Sequence, residues 1–161
     1  MNHSADIARI AEQESLLVFP SFDETDALTI GLALHARAKA EHKAVRIDVR
    51  FWDRQLFALA MPGTDAANED WVRRKANVVK RFQCSSYRKA LEMKDAGISF
   101  TAEHGTDPLD YAMAGGGFPL RIEGGPVIGA VIVSGLPQRL DHVYAADAIA
   151  AHLKRVIPAL D

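Results

Sequence analysis

Residues 127–134, Val-Ile-Gly-Ala-Val-Ile-Val-Ser, hold no charge and no polar side chain before the closing serine. A strand with one wet face alternates apolar and polar residues, but this one is apolar on both. The pattern predicts a strand in the middle of a sheet, covered on each side.

The remaining segments supply the neighbours and the cover. Phe118–Ile122 precedes it across Glu123-Gly124-Gly125-Pro126, which reads as a hairpin. In Val45–Trp52 the residues Val45, Ile47, Val49 and Phe51 share one face, and Arg46, Asp48, Arg50 and Trp52 the other. Asp53-Arg54 is a turn, and Gln55–Met61 returns as a second strand ended by Pro62-Gly63. Leu16–Phe19 is a short apolar run closed by Pro20. Helical spacing covers residues 4–15, and a Ser21–Glu24 capping box opens a second helix running to about His42. A polar loop, Thr64–Asn68, precedes the helix from Trp71 to Phe82; another runs from Tyr87 to about Ala96, stopped by Gly97. Asp141 can cap a last helix that keeps its spacing to Pro158. Two hairpins and a lone strand predict an α+β fold: a five-stranded, largely antiparallel sheet with helices packed on it, one domain over residues 1–161.

Bulk properties remove several function classes. With 19 basic and 21 acidic residues the net charge is −2, which gives no electrostatic case for nucleic acid or a membrane surface. No stretch reaches the ~18–20 apolar residues of a membrane span. Asp6, Arg9, Glu12 and Glu14 precede any apolar run, unlike a secretory signal, so a cytoplasmic location is expected. Cys84 is the single cysteine, which excludes an intrachain disulfide and a multi-cysteine metal site; a small packing residue is the expectation.

The Trp71 helix contains an anomaly. On a wheel of ~100° per residue, Trp71, Val72, Ala76, Val78, Val79 and Phe82 form one arc, and Lys75 falls near its centre. Arg74 and Arg81 lie along its edge. A buried ammonium must find a partner or lose its proton, so something anionic or polar should meet Lys75.

Two further features suit such a partner. Gly115-Gly116-Gly117 before a strand frees the backbone and exposes N–H groups, either to cradle an anion or to let chains pack closely. It is no Walker loop, because no Gly-Lys-Ser or Gly-Lys-Thr follows. Ser85 and Ser86 stand at the break between two helices, where they can cap the second or present hydroxyls to an anion. Together Arg74, Lys75, Ser85, Ser86 and Gly115–Gly117 describe a pocket for a small polar or anionic ligand. Among the six histidines, His35 lies within an apolar helical arc and His104 in an irregular loop; His3, His42, His142 and His152 show no metal-ligand spacing to one another or to a carboxylate cluster.

Trp71-Val72-Arg73-Arg74-Lys75, Arg81-Phe82, Ser85-Ser86, Gly115–Arg121 and Val127–Gly135 together resemble the haem-degrading-domain (GlcG/HbpS-like) superfamily. Within it the chain is similar to a branch carrying the Trp-x-Arg-Arg-Lys helix. The resemblance implies a profilin-like fold with helices on both faces of the sheet, a homo-oligomer, and haem or a related tetrapyrrole as a ligand. It makes His35 and His104 the residues to test as haem ligands.

Three readings follow. The first is a cytoplasmic, oligomeric domain that binds a small anionic ligand (haem propionates, a carboxylate or a phosphate) without catalysis. The second is an enzyme of oxidative haem breakdown or other cofactor chemistry. In the third, a ligand-free scaffold, Lys75 pairs with a carboxylate of its own or a neighbouring chain.

Overall fold

Aspartates, rather than Ser21, start the two long helices. In the computed structural model, which describes residues 3–160, the Asp23 carboxylate accepts the Thr25 and Asp26 amides, and Asp26 answers to the Asp23 amide. This reciprocal box opens α2, Glu24–Ala40. Asp65 and Asn68 do the same for α3, Ala66–Phe82, which therefore begins inside the segment expected to be loop. An ionised carboxylate is a strong acceptor for helix-start amides, and it also complements the dipole.

The other elements are α1 (Ser4–Leu16), β1 (Val18–Phe19), β2 (Arg46–Phe51), β3 (Gln55–Ala60), α4 (Ser86–Asp95), β4 (Gly117–Ile122), β5 (Val127–Ser134) and α5 (Gln138–Leu153). The lone strand is thus shorter than Leu16–Phe19, and the last helix stops at Leu153, with Lys154 in left-handed backbone, before reaching Pro158. The sheet order is β1-β4-β5-β2-β3. Only β1 and β4 pair in parallel; β4–β5, β5–β2 and β2–β3 are antiparallel. β5 is the central strand, as its two apolar faces require.

Each face of β5 feeds a separate core. Val131 and Val133 join Ile47, Val49, Phe118 and Leu120 under α2 and α5. Ala130 and Ile132 join Val72, Ala76 and Val79 of α3 on the opposite face. A third, smaller cluster of Ile10, Tyr87 and Leu91 ties α1 to α4. Burying an aliphatic side chain of this size contributes about 1.5–3 kcal/mol, so the two faces of β5 are the fold's main fastening. The architecture is the α+β, largely antiparallel sheet with helices on both faces.

Candidate functional site

Lys75 points inward, where the wheel places it. Val72, Lys75, Ala76, Val78 and Val79 are the buried residues of α3. The lysine side chain is only 3% exposed, and its ammonium donates to Asp141 Oδ2 at 2.8 Å and to the Val133 carbonyl at 2.9 Å. The partner is therefore an intrachain carboxylate, the arrangement set out for the scaffold reading. An ammonium has three donors, and these two contacts leave one uncommitted.

Asp141 does not cap the last helix. Pro137 precedes α5, and its carbonyl accepts the Leu140 and Asp141 amides, so Asp141 falls inside the first turn and faces the interior. Its Oδ1 accepts the Leu136 amide at 3.0 Å. The ion pair thus fastens α3, the end of β5 and the turn before α5, the lysine holding β5 and the carboxylate the turn. Desolvation pushes the Asp141 carboxyl above its ordinary value and the Lys75 amine below its own; their mutual attraction opposes both shifts.

The glycines make this approach physically possible. Gly116 has φ +123°, and a Cβ there would lie 2.7 Å from Lys75 Nζ and 2.9 Å from Asp141 Cβ. A Cβ on Gly117 would meet Val79 at 2.9 Å, and the Gly117 amide donates to Ser86 Oγ at 3.0 Å. Gly115 backs onto the Gln138 carbonyl and the Tyr87 ring. The triplet's surfaces pack closely against Lys75, Asp141 and Ser86, and the Gly117 amide is taken by Ser86.

The other sequence candidates fall further out. Ser85 caps α4 by accepting the Arg88 amide at 3.2 Å, and its own amide donates to Glu14 at 2.7 Å. Arg74 lies 4.5 Å from the centroid of the Trp71 ring and 3.7 Å from Asp70, with its Nε buried and unpartnered. His104 is exposed and bonded to Thr101 Oγ1 at 2.9 Å. His35 is half-buried on α2, away from Lys75 and on the wall of a different cavity. Lys75, Ser86 and the three glycines come together; Arg74, Ser85, His35 and His104 do not join them.

The buried pair forms part of the wall of a cavity of about 260 Å³. Asn68, Trp71, Ser134 and Gln138 border it with Lys75 and Asp141. An indole, two amides, a hydroxyl and one spare ammonium proton can hold a small anionic or polar group.

Three of the buried polar groups that sequence reasoning missed bear on the interior of the fold. Asp48 is fully buried and accepts Arg50 Nε at 2.6 Å, Arg50 Nη2 at 2.9 Å and Gln55 Nε2 at 2.6 Å. Alternation on β2 reads its charged face as wet, but α3 covers that face; opposite charges two residues apart were the available signal. His142 is fully buried between Tyr87 and Phe118, its Nε2 is 2.9 Å from Gln13 Oε1, and burial pushes it down to about 3. The third is Asp141. Cys84 is buried, with its thiol pushed up to about 12 by desolvation, as a packing residue would be. Among the described residues no group of three or more His, Cys, Asp or Glu side chains could hold a metal ion.

Comparison with known proteins adds a family. Residues 22–150 match the model of the haem degrading protein HbpS-like family. The UPF0303 protein mlr5144 of Mesorhizobium japonicum is 52% identical over 148 residues, covering 92% of this chain and 89% of the relative. The crystal structure of the Ybr137w protein superposes with a TM-score of 0.85 at 23% identity, covering 92% of this chain and 90% of that one. The PduOC:heme complex superposes with a TM-score of 0.68 at 19% identity, covering 81% and 94%. At these identities the two structures establish the shared fold.

Proposed function

This chain belongs to the HbpS-like family of haem-degrading proteins, and we propose that it is a small-ligand-binding domain whose pocket is the Lys75 cavity. The observation that carries the reading is the ammonium itself. It is buried, fixed by Asp141 and Val133, and retains one donor on the wall of a cavity rich in hydrogen-bonding side chains. A positioned, partly desolvated N–H of this kind favours an anionic oxygen.

Haem is the first ligand to test, because the family is described by it and PduOC is seen in complex with it. The cavity's size sets a limit. At about 260 Å³ it is smaller than pockets for drug-sized ligands, about 300–1,000 Å³, so it suits a carboxylate, a phosphate or a single propionate arm. No histidine, cysteine, methionine or tyrosine borders it, so its residues fit an anionic head group and not haem iron. We derive no oxidative step from it.

The test is calorimetric titration of the whole chain with haem, inorganic phosphate and acetate, with visible absorption followed for haem. Ala114 also borders the cavity, and Ala114→Trp adds bulk to its wall while leaving both members of the ion pair unsubstituted. Binding of at least one probe that Ala114→Trp abolishes supports the reading; identical binding in both proteins defeats it.

Assembly into a homo-oligomer and a cytoplasmic location belong to the same proposal. Leu28 and Leu32, 50% and 51% exposed one turn apart on α2, give a second copy an apolar surface. Light scattering after size exclusion reads the assembly, and a monomer at micromolar concentration would remove it. Cell fractionation reads the location.

A further inference from the structure

A second cavity, of about 430 Å³, lies at the C-terminal end of α2, on a different element from Lys75. Its volume falls within the usual range of ligand pockets, about 300–1,000 Å³. His35 and Lys39 border it from α2, and His42 and Lys43 from the turn that follows, beside apolar Ala38 and Met61. Two lysines and two imidazoles are its only charged or titratable side chains; no carboxylate lines it.

Lys39, His42 and Lys43 are exposed and His35 is half-buried, and three observations describe their surroundings. No side-chain hydrogen bond or ion pair engages any of the four cationic or imidazole groups among the described residues. Glu41, in the same turn, is hydrogen-bonded to Arg37 at 2.9 Å and to the Tyr144 hydroxyl, and feels the Lys43 charge without pairing with it. The last carbonyls of α2 are satisfied by backbone: Arg37, Ala38 and Lys39 accept the amides of Glu41, Lys43 and His42 at 2.9, 2.8 and 3.2 Å, and the lysines complement the helix dipole there.

The backbone adds a fourth observation. His42 has φ +54°, at the position after the helix cap where glycine or asparagine is usual. A β-carbon there costs about 1–2 kcal/mol, which glycine avoids. The chain nevertheless puts an imidazole on the cavity wall.

We propose that this cavity binds a small molecule carrying a phosphate or carboxylate on an apolar body. Lys39 and Lys43 neutralise the anion, the imidazoles of His35 and His42 donate hydrogen bonds, and Ala38 and Met61 meet the apolar part. The site shares no residue with the Lys75 cavity, so either can fail without the other.

The test is a ¹H–¹⁵N correlation titration of the whole chain with phenyl phosphate, and with phenol as the uncharged control. Saturable shifts confined to His35, the Ala38–Ala44 segment and Met61 are expected with phenyl phosphate and absent with phenol. A Lys39→Gln/Lys43→Gln variant should raise Kd by about tenfold or more. His42→Gly keeps the backbone conformation and should weaken binding severalfold at unchanged or higher Tm. Phenol binding equally well, equal affinity in the lysine variant, or no saturable shift at these residues would each overturn the proposal.

Discussion

Replacing Lys75 with methionine keeps most of the side-chain volume and removes one buried charge. The two side chains are 3% and 2% exposed and meet at 2.8 Å, so the loss strands the Asp141 carboxylate in the interior. It keeps the Leu136 amide as an acceptor bond but loses its counter-ion. Breaking a buried pair on one side costs about 3–5 kcal/mol, a large part of the ~5–15 kcal/mol that holds a domain together. The sign of the pH response follows. Burial already raises the Asp141 carboxyl, and without Lys75 only the backbone amides of Gly135 and Leu136 oppose that shift. The folded variant then binds a proton more readily than the unfolded chain, so the deficit grows as pH rises and shrinks toward about pH 5. The assay is urea denaturation by circular dichroism of wild type, Lys75→Met, Asp141→Leu and the double variant. The double variant, with an apolar pair in place of the ions, should regain a good part of the loss, giving a coupling energy of about 2 kcal/mol or more. A coupling below about 0.5 kcal/mol, the ordinary scatter of independent sites, would refute the argument.

Other consequences are separable from that pair. Gly116→Ala adds a methyl 2.7 Å from Lys75 Nζ at φ +123°, and should cost at least about 3 kcal/mol, read as a fall in the urea midpoint. His142 takes a proton in the unfolded chain from its ordinary 6.5 but in the folded chain only near 3. Its folded value is depressed, so stability falls as pH drops through that window, by on the order of 4 kcal/mol at the low end. His142→Phe should flatten the acid limb of the stability curve between about pH 6 and pH 4, and an unchanged limb would contradict the assignment. Cys84 is buried with a raised thiol, so a thiol reagent at about pH 8 should label it only at the global unfolding rate; rapid labelling of the native protein would show an accessible thiolate.

What was legible followed from periodicity. Val127–Ser134 is the same strand in sequence and structure, because apolar residues on both faces admit one place in a sheet. Lys75 was legible as inward because six apolar neighbours set the arc of α3 whatever the lysine prefers. Its partner was not. Asp141 looks like a cap in sequence, and only Pro137, by starting the helix earlier, turns it inward. The cover over the charged face of β2 was not legible for a similar reason: alternation reports which residues share a face, but whether α3 lies on that face is a tertiary fact. The glycine triplet was read as cradle or close packing, and the distances around Gly116 show close packing onto the very lysine the cradle was meant to assist.

The central claim is that the buried Lys75 ammonium offers an anionic group its remaining proton. Nuclear magnetic resonance of ¹⁵Nζ-labelled lysine observes that group directly, since an ammonium held by Asp141 and Val133 should give a resolved, slowly exchanging signal. On titration with haem, inorganic phosphate and acetate, the Lys75 signal should move saturably with at least one of them, and stay fixed in Ala114→Trp. A Lys75 signal that holds its position with all three would contradict the account and leave the pair as a fastening between helices alone.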